Sequence, residues 1–157
     1  MAADRPARAR LTRRAALALL AGGSVAAALH PRPARAADPR AGFAADRIDA
    51  ALRALFGTRE IRPSDAVRIT MVDVAEDGAI VPIEIEADLP RVARIAILAG
   101  QNPVPLLGVF EFDPALAPYL STRIKLAGSG DVMAVVDTGD ALLAARRAVR
   151  VMLDGCH

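Results

Sequence analysis

The chain has few of the residues that form crosslinks and metal sites. Its 157 residues include one cysteine, two histidines and no tryptophan. A single cysteine excludes a disulfide within the chain, and so few cysteines and histidines exclude the ligand spacings of zinc sites. No glycine-rich phosphate loop is present, and a Ser-His-Asp triad would depend on His157 at a frayed terminus. We therefore expect no metal site, no cofactor and no self-contained enzyme.

The first 36 residues differ from the rest and predict a signal peptide. They contain seven arginines and one acid, Asp4. Arg13 and Arg14 precede an Ala/Leu-rich run, residues 15–29, and "ARA" follows at residues 34–36. A basic stretch, a short apolar run and an A-x-A site are typical of secretion. The run is too short and too interrupted by glycine to span a membrane. "TRR" resembles a twin-arginine export signal, which predicts a periplasmic protein; a general secretory signal is the alternative.

Removal of this segment changes the charge of the protein. It takes away seven of the 20 basic and one of the 18 acidic residues, which leaves 13 bases, 17 acids and a net charge of −4. The alkaline pI of the full chain therefore comes from the signal, and we expect no nucleic-acid partner. The 121 remaining residues are enough for one domain with one core.

The pattern of apolar residues predicts one helix followed by strands. In "FAADRIDAALRALFG" the apolar spacing predicts a helix over residues 44–56, with Gly57 as its C-cap. The alternation of Ile83 and Ile85 with Glu84 and Glu86 predicts a strand with one solvated face. We therefore interpret the two glutamates as surface residues and not as a catalytic pair. Further strands are predicted in "VRITMV", "VARIAILAG", "LLGVFEF", "YLSTRIKLA" and "VMAVVD", separated by turn signals such as "AEDGA" and "GSGD".

The last long segment, "ALLAARRAVRVMLDGCH", has features of both a helix and a strand. Its Ala, Leu and Arg content favours a helix, whereas its alternation over residues 149–153 favours a strand. Six or seven short strands at regular spacing are typical of an all-β sandwich in which the last strand completes a sheet. We therefore predict a strand here, and an all-β sandwich as the fold. The strands in residues 92–100 and 106–112 are apolar on both faces, so a partner subunit or the N-terminal helix is expected to cover one face.

The lone cysteine, Cys156, is the one residue with reactive chemistry. A lone cysteine is usually a small core residue, but the last residues of a domain are rarely buried, and Gly155 makes the backbone before it flexible. From Leu153, three extended residues would place the sulfur roughly 10 Å beyond the sheet. A thiol on such a tether suits a covalent carrier that enters another protein's active site.

Three segments of the chain together resemble the SoxY family of sulfur carriers. They are "EDGAIVP" at residues 76–82, "QNPVPL" at residues 101–106 and "STRIKL" at residues 121–126. The resemblance covers nearly all of the chain after residue 36. It divides the chain into a twin-arginine-type signal peptide (1–36), a helix plus immunoglobulin-like SoxY domain (37–152) and a flexible carrier tail (153–157).

The resemblance implies a fold, a function and a set of partners. The fold would be an immunoglobulin-like β-sandwich preceded by one short helix. Cys156 would hold sulfur covalently, as a persulfide or S-thiosulfonate adduct, with no cofactor and no catalysis by the carrier itself. A SoxZ-like subunit would form a heterodimer with it. A c-type cytochrome complex would load thiosulfate, a hydrolase would release sulfate and, in some systems, a sulfane dehydrogenase would oxidise the remaining sulfur.

The tail departs from the family pattern. The family usually ends in GGCGG, whereas this chain reads Asp154-Gly155-Cys156-His157. A non-carrier interaction module is therefore a second hypothesis, in which Cys156 forms an intermolecular disulfide. A metal chaperone using Cys156 and His157 is a third, but two ligands are too few for a tight site.

Overall fold

The computed structural model describes residues 38–152, which begin with two short helices. Helix α1 spans Pro39–Phe43 and helix α2 spans Ile48–Phe56. The Asp38 carboxylate caps α1 by accepting a hydrogen bond from Arg40 N at 3.0 Å, and proline fits its first turn. Gly57 ends α2 with φ 66°, as predicted. The predicted helix over residues 44–56 therefore begins four residues later, and α1 is an addition, because five residues are too few to show helical periodicity.

Between residues 38 and 152, nine strands form two sheets. The larger sheet has the order β1-β9-β8-β5-β6, with β3 also paired to β9, and the smaller has the order β2-β4-β7. The seven predicted strands are all present, and the two additional ones, β1 and β3, have only three and two residues. The strands are β1 (Ile61–Pro63), β2 (Val67–Met71), β3 (Val74–Ala75), β4 (Val81–Ala87), β5 (Arg94–Ala99), β6 (Leu106–Glu111), β7 (Tyr119–Ile124), β8 (Gly130–Asp137) and β9 (Leu142–Val151).

The two sheets face each other across an apolar core, which confirms the immunoglobulin-like sandwich. Alternate residues of β4, Ile83 and Ile85, are buried, while Glu84 and Glu86 between them are exposed. From the opposite sheet, β5 and β8 contribute fully buried residues, among them Ile95, Ile97 and Val132. The period-2 pattern of the sequence is thus the alternation between core and solvent.

The N-terminal helices cover the outer face of the larger sheet. A second apolar cluster joins Leu55 and Phe56 of α2 to Leu98 of β5 and Val135 of β8. Both faces of β5 are buried for this reason, with five of its six residues out of contact with solvent. A partner subunit and the N-terminal helix were the two explanations for strands with two apolar faces. At this position the structure supports cover by the helix.

The segment with mixed signals is a strand, as expected. Residues Leu142–Val151 pair antiparallel with the whole of β8, in register from Asp137↔Leu142 to Gly130↔Val149. This pairing overrides the helical propensity of its Ala, Leu and Arg residues, because cross-strand packing decides strand formation more than propensity does. On its other side β9 pairs in parallel with β1 at one end and with β3 at the other.

The chain between β1 and β3 changes sheets twice. After β1 it turns at Ser64, whose hydroxyl accepts a hydrogen bond from Ala66 N at 3.2 Å. It then crosses to the smaller sheet as β2, which pairs with β4, and returns to β9 as β3. Within residues 38–152, no helix has the length and apolar character needed to cross a membrane.

Candidate functional site

The residues predicted to carry function lie outside the described part of the chain. Cys156 and Gly155, with the whole of the predicted carrier tail, follow Met152, the last described residue, and the predicted signal arginines, Arg13 and Arg14, precede residue 38. The structure therefore describes the end of the sandwich that residues 153–157 follow in the sequence. We call this end the root: Arg150 and Val151 at the end of β9 and Met152 directly after it, with the elements that hold them.

Strand β3 holds one side of the root. Arg150 N donates a hydrogen bond to Asp73 O at 2.9 Å, and Met152 N donates one to Ala75 O, also at 2.9 Å. These bonds extend the pairing of β3 one residue beyond the end of β9. A two-residue strand gives no recognisable sequence pattern, so sequence reasoning missed this contact.

A serine side chain holds the other side of the root. Ser129 Oγ accepts a hydrogen bond from Val151 N at 2.9 Å and donates one to Val151 O at 3.3 Å. The hydroxyl thus takes the place of a further residue of β8, which begins only at Gly130. The turn signal "GSGD" located this serine in a turn, but nothing in the sequence indicated its contact with residue 151.

A glycine brings a third segment against the root. A Cβ on Gly78 would lie 2.3 Å from the carbonyl oxygen of Leu126 and 3.0 Å from Val151 Cγ1. Leu126 N donates a hydrogen bond to Gly78 O at 2.7 Å. Only glycine allows so close an approach of two backbones. The "EDGA" turn therefore packs directly beside the end of β9. This packing explains why a glycine stands in this part of the segment at residues 76–82.

The surface around the root carries both apolar and charged side chains. Val74 and Met152 are 45% and 52% exposed. Arg147 Nη2 lies 2.6 Å from Asp73 Oδ1, but both side chains are substantially exposed, so this ion pair contributes about 1 kcal/mol or less to stability. Arg150 is exposed and forms no ion pair with any residue of the described chain.

A buried carboxylate lies at the opposite end of the β8–β9 hairpin. Asp137 has a side chain only 4% exposed, and it accepts hydrogen bonds from Arg59 Nη1, from Arg94 Nε and Nη2, and from Gly139 N. Burial raises the pKa of Asp137, but the hydrogen bonds from Gly139, Arg94 and Arg59 outweigh it and hold the pKa below its ordinary value. Because four donors engage this carboxylate, its role is structural: it ties the hairpin to β5 and to the segment after α2.

The described residues were also compared with the arrangements that hold a metal ion or leave a carboxylate free to react. Between residues 38 and 152, no three His, Cys, Asp or Glu side chains are placed to hold a metal ion. Asp137, the one buried charged residue of the described chain, is saturated by its partners. What the geometry provides is a sandwich whose root is held by hydrogen bonds on both sides, and residues 153–157 follow that root in the sequence.

Comparison with known proteins agrees with this arrangement. The family model described as "Sulfur oxidation protein SoxY" matches residues 52–156. Among solved structures, the sulfur carrier protein SoxY from Chlorobium limicola f thiosulfatophilum is 32% identical with a TM-score of 0.62, over 68% of this chain and 97% of that one. Comparison with curated protein sequences gives no match.

A more distant structure shares only the fold. The superoxide reductase (neelaredoxin) from Ignicoccus hospitalis is 19% identical with a TM-score of 0.51, over 59% of this chain and 95% of that one. At this identity the likeness concerns the sandwich and carries nothing about chemistry.

Proposed function

The chain belongs to the SoxY family of sulfur oxidation proteins, and from this premise we propose that it carries sulfur intermediates covalently on Cys156. Membership supports a carrier role in sulfur oxidation. The observation that carries the finer proposal is the extent of the family match, which runs to residue 156 and so includes both Gly155 and Cys156. The match is thus not confined to the sandwich.

The chemistry needs only a thiol and partner enzymes. Joining the Cys156 sulfur to the outer sulfur of thiosulfate forms a sulfur–sulfur bond, releases the thiol proton and removes two electrons, which a c-type cytochrome complex would accept. Attack of water on the terminal sulfonate then breaks the bond between the sulfane and the sulfonate, releases sulfate and leaves a persulfide on Cys156. A hydrolase would catalyse this second step, and a sulfane dehydrogenase would oxidise the persulfide further.

The root supports this proposal by limiting where the thiol can be. Met152 is fixed by its hydrogen bond to Ala75, and Cys156 follows four residues later. Four residues span at most about 14 Å. An enzyme acting on Cys156 must therefore approach the β3 end of the sandwich, and the sandwich itself stays outside its active site.

The wider setting follows from the family. We propose a SoxZ-like subunit as the heterodimer partner, and a periplasmic location reached through the twin-arginine-type signal with Arg13 and Arg14. Export of a folded pair would carry along a partner without a signal of its own.

The experiment that tests the proposal is intact mass measurement on protein from the periplasm of cells grown on thiosulfate. We expect additions of one or more sulfur atoms, or of a thiosulfonate, that map to Cys156 and disappear on reduction. The Cys156→Ser variant should show none while keeping its fold. A bare thiol in the presence of the loading enzymes would contradict the carrier role.

A non-carrier interaction module is the second candidate, and the altered tail favours it. Asp154 places a negative charge two residues from a sulfur that would carry an anion, and like charges at this range repel, although water screens much of the effect. His157 adds an imidazole where the family has glycine. In this alternative, the same mass measurement would detect a disulfide-linked species at Cys156 without a sulfur adduct.

A further inference from the structure

The three sequence segments that resemble the SoxY family meet at one stretch of the structure. This stretch is residues 125–129, which join β7 to β8 and end in Ser129 of the root; we call it the connection. Leu126 N donates a hydrogen bond to Gly78 O at 2.7 Å, which joins the first segment to the third. Asn102, of the second segment, also bonds to the connection. The fold therefore brings all three segments together beside the root.

The side chain of Asn102 bridges two backbone groups of the connection. Its Nδ2 donates a hydrogen bond to Lys125 O at 2.7 Å, and its Oδ1 accepts one from Ala127 N at 2.8 Å. Only this orientation of the amide satisfies both a carbonyl and an N–H group. Asn102 is held in turn by the end of β5, because its own N donates a hydrogen bond to Ala99 O at 3.2 Å.

This bridge limits the position of Ser129. Ala127 and Ser129 are two residues apart, so their Cα atoms lie at most about 7 Å from each other. On the other side of Ser129, the side chain of Gln101 lies against Gly130, where a Cβ would be 2.9 Å from Gln101 Oε1. Neighbouring residues of one loop, Gln101 and Asn102, therefore contact the chain on both sides of Ser129.

Ser129 connects this arrangement to the root. Its hydroxyl accepts the hydrogen bond from Val151 N at 2.9 Å. Such a bond forms only while the connection keeps the hydroxyl at about 3 Å from that nitrogen. Asn102 is thus linked to the end of β9 through one side-chain hydrogen bond, and Cys156 follows five residues after Val151 in the sequence.

We propose that Asn102 is a positioning residue for Cys156: by bridging the connection it keeps Ser129 against Val151, and so fixes the place at which the chain after Met152 begins. The inference rests on the proposed function, because the position of the root matters for transfer only if Cys156 carries sulfur. A root that is already ordered lowers the entropy cost of binding Cys156 in an enzyme. Asn102 therefore contributes to the binding of the carrier, and not to the chemical step.

A double-variant cycle with hydrogen exchange on the full chain tests whether Asn102 acts through Ser129. Asn102→Ala should make the Val151 amide exchange about fivefold faster. In the Ser129→Ala variant, which already lacks the bond, adding Asn102→Ala should accelerate this amide by less than about twofold. Equal acceleration in the two backgrounds overturns the inference. If Asn102→Ala unfolds, Asn102→Asp replaces it in the cycle, because it keeps the acceptor for Ala127 N and loses the donor to Lys125 O.

Thr138→Ala is the matched control at the opposite end of the β8–β9 hairpin. There Thr138 Oγ1 accepts a hydrogen bond from Ala141 N at 3.0 Å and donates one to Ala141 O at 3.3 Å. The variant therefore removes a comparable side-chain bridge that has no contact with the connection. It should change exchange at the Val151 amide by less than about twofold, and an acceleration equal to that of Asn102→Ala overturns the inference.

The kinetics of loading distinguish positioning from a merely structural role. With the c-type cytochrome complex as the enzyme and thiosulfate in excess, Asn102→Ala should raise KM for the carrier by about fivefold and change kcat by less than about twofold, because only binding loses the ordered root. Thr138→Ala should change neither constant. An unchanged KM, a reduced kcat or an equal rise of KM in Thr138→Ala overturns the inference alone. A wild-type chain that accepts no sulfur overturns the proposed function and the inference with it.

Discussion

Replacing Ser129 with alanine should loosen the root without disturbing the rest of the sandwich. The serine hydroxyl accepts a hydrogen bond from Val151 N at 2.9 Å and donates one to Val151 O at 3.3 Å. The first bond has ordinary geometry, whereas the second is longer than a typical O–H···O bond. We therefore count one effective hydrogen bond, and expect Ser129→Ala to lower the free energy of unfolding by about 1 kcal/mol.

The same loss should be visible both in global stability and locally at the root. In a domain of this size, 1 kcal/mol lowers Tm by about 3–6 °C. The same loss should make the Val151 amide, which is left without its partner, exchange about fivefold faster. Met152 N, which bonds to Ala75 O on the other side, should change less, because β3 still holds it.

The measurement is urea unfolding combined with hydrogen exchange, and Ser121→Ala is the matched control. Ser121 is exposed on β7 and makes no side-chain hydrogen bond within the described chain. If Ser129→Ala differs from Ser121→Ala by less than about 0.3 kcal/mol and leaves the Val151 amide unchanged, the serine does not hold the root.

The other predictions concern a glycine, the helix cover and the buried carboxylate. Gly78→Ala would place a Cβ 2.3 Å from a backbone oxygen, so we expect a loss of about 2 kcal/mol or more in urea unfolding; Gly128→Ala, in open space, is the control, and equal effects would refute the packing argument. Leu55 is 1% exposed and packs against the larger sheet, so Leu55→Ala should lower the free energy of unfolding by about 2–4 kcal/mol, measured by thermal unfolding. A loss below about 1 kcal/mol would mean that α2 is not needed to cover this face. The pKa of Asp137 lies below its ordinary 3.8 in the folded state, so the stability it contributes is fully present above that value and is lost as pH falls through the folded pKa. The stability difference between wild type and Asp137→Asn should therefore shrink between about pH 7 and pH 2, and a constant difference would contradict this.

Local sequence patterns were sufficient for the long elements. The alternation in β4 and β7 and the helical spacing from Ile48 to Phe56 correspond directly to buried and exposed faces. Strand β9 required an argument about the whole sandwich, because its Ala and Arg residues are compatible with a helix. Its antiparallel pairing with β8 agrees with the expectation that a last strand completes a sheet.

What the sequence did not predict depends on contacts between distant residues. Strands β1 and β3 have three and two residues and exist because β9 pairs with them. Ser129 and Gly78 were both located in turns, but their contacts with Val151 are 22 and 73 positions away in the sequence. The Asp137 cluster joins Arg59 and Arg94 across 78 and 43 positions. A pattern in neighbouring residues carries no information about such contacts.

The proposed function assigns different roles to the root and to the residues that follow it. On the described side of Met152, β3, Ser129 and the Gly78 turn fix the root through backbone hydrogen bonds and close packing. These contacts contain no group that would activate a thiol or accept electrons. Under the proposed function, the chemistry at Cys156 comes from the five residues after Met152 and from the enzymes that act on them. Substitutions in the sandwich should consequently affect stability and partner binding, whereas substitutions at Asp154 or His157 should change the rate of sulfur transfer at constant stability. Measuring stability and the rate of sulfur transfer on the same set of variants tests this separation. It would be contradicted by a substitution in the sandwich that slows sulfur transfer but leaves stability and partner affinity at the wild-type values.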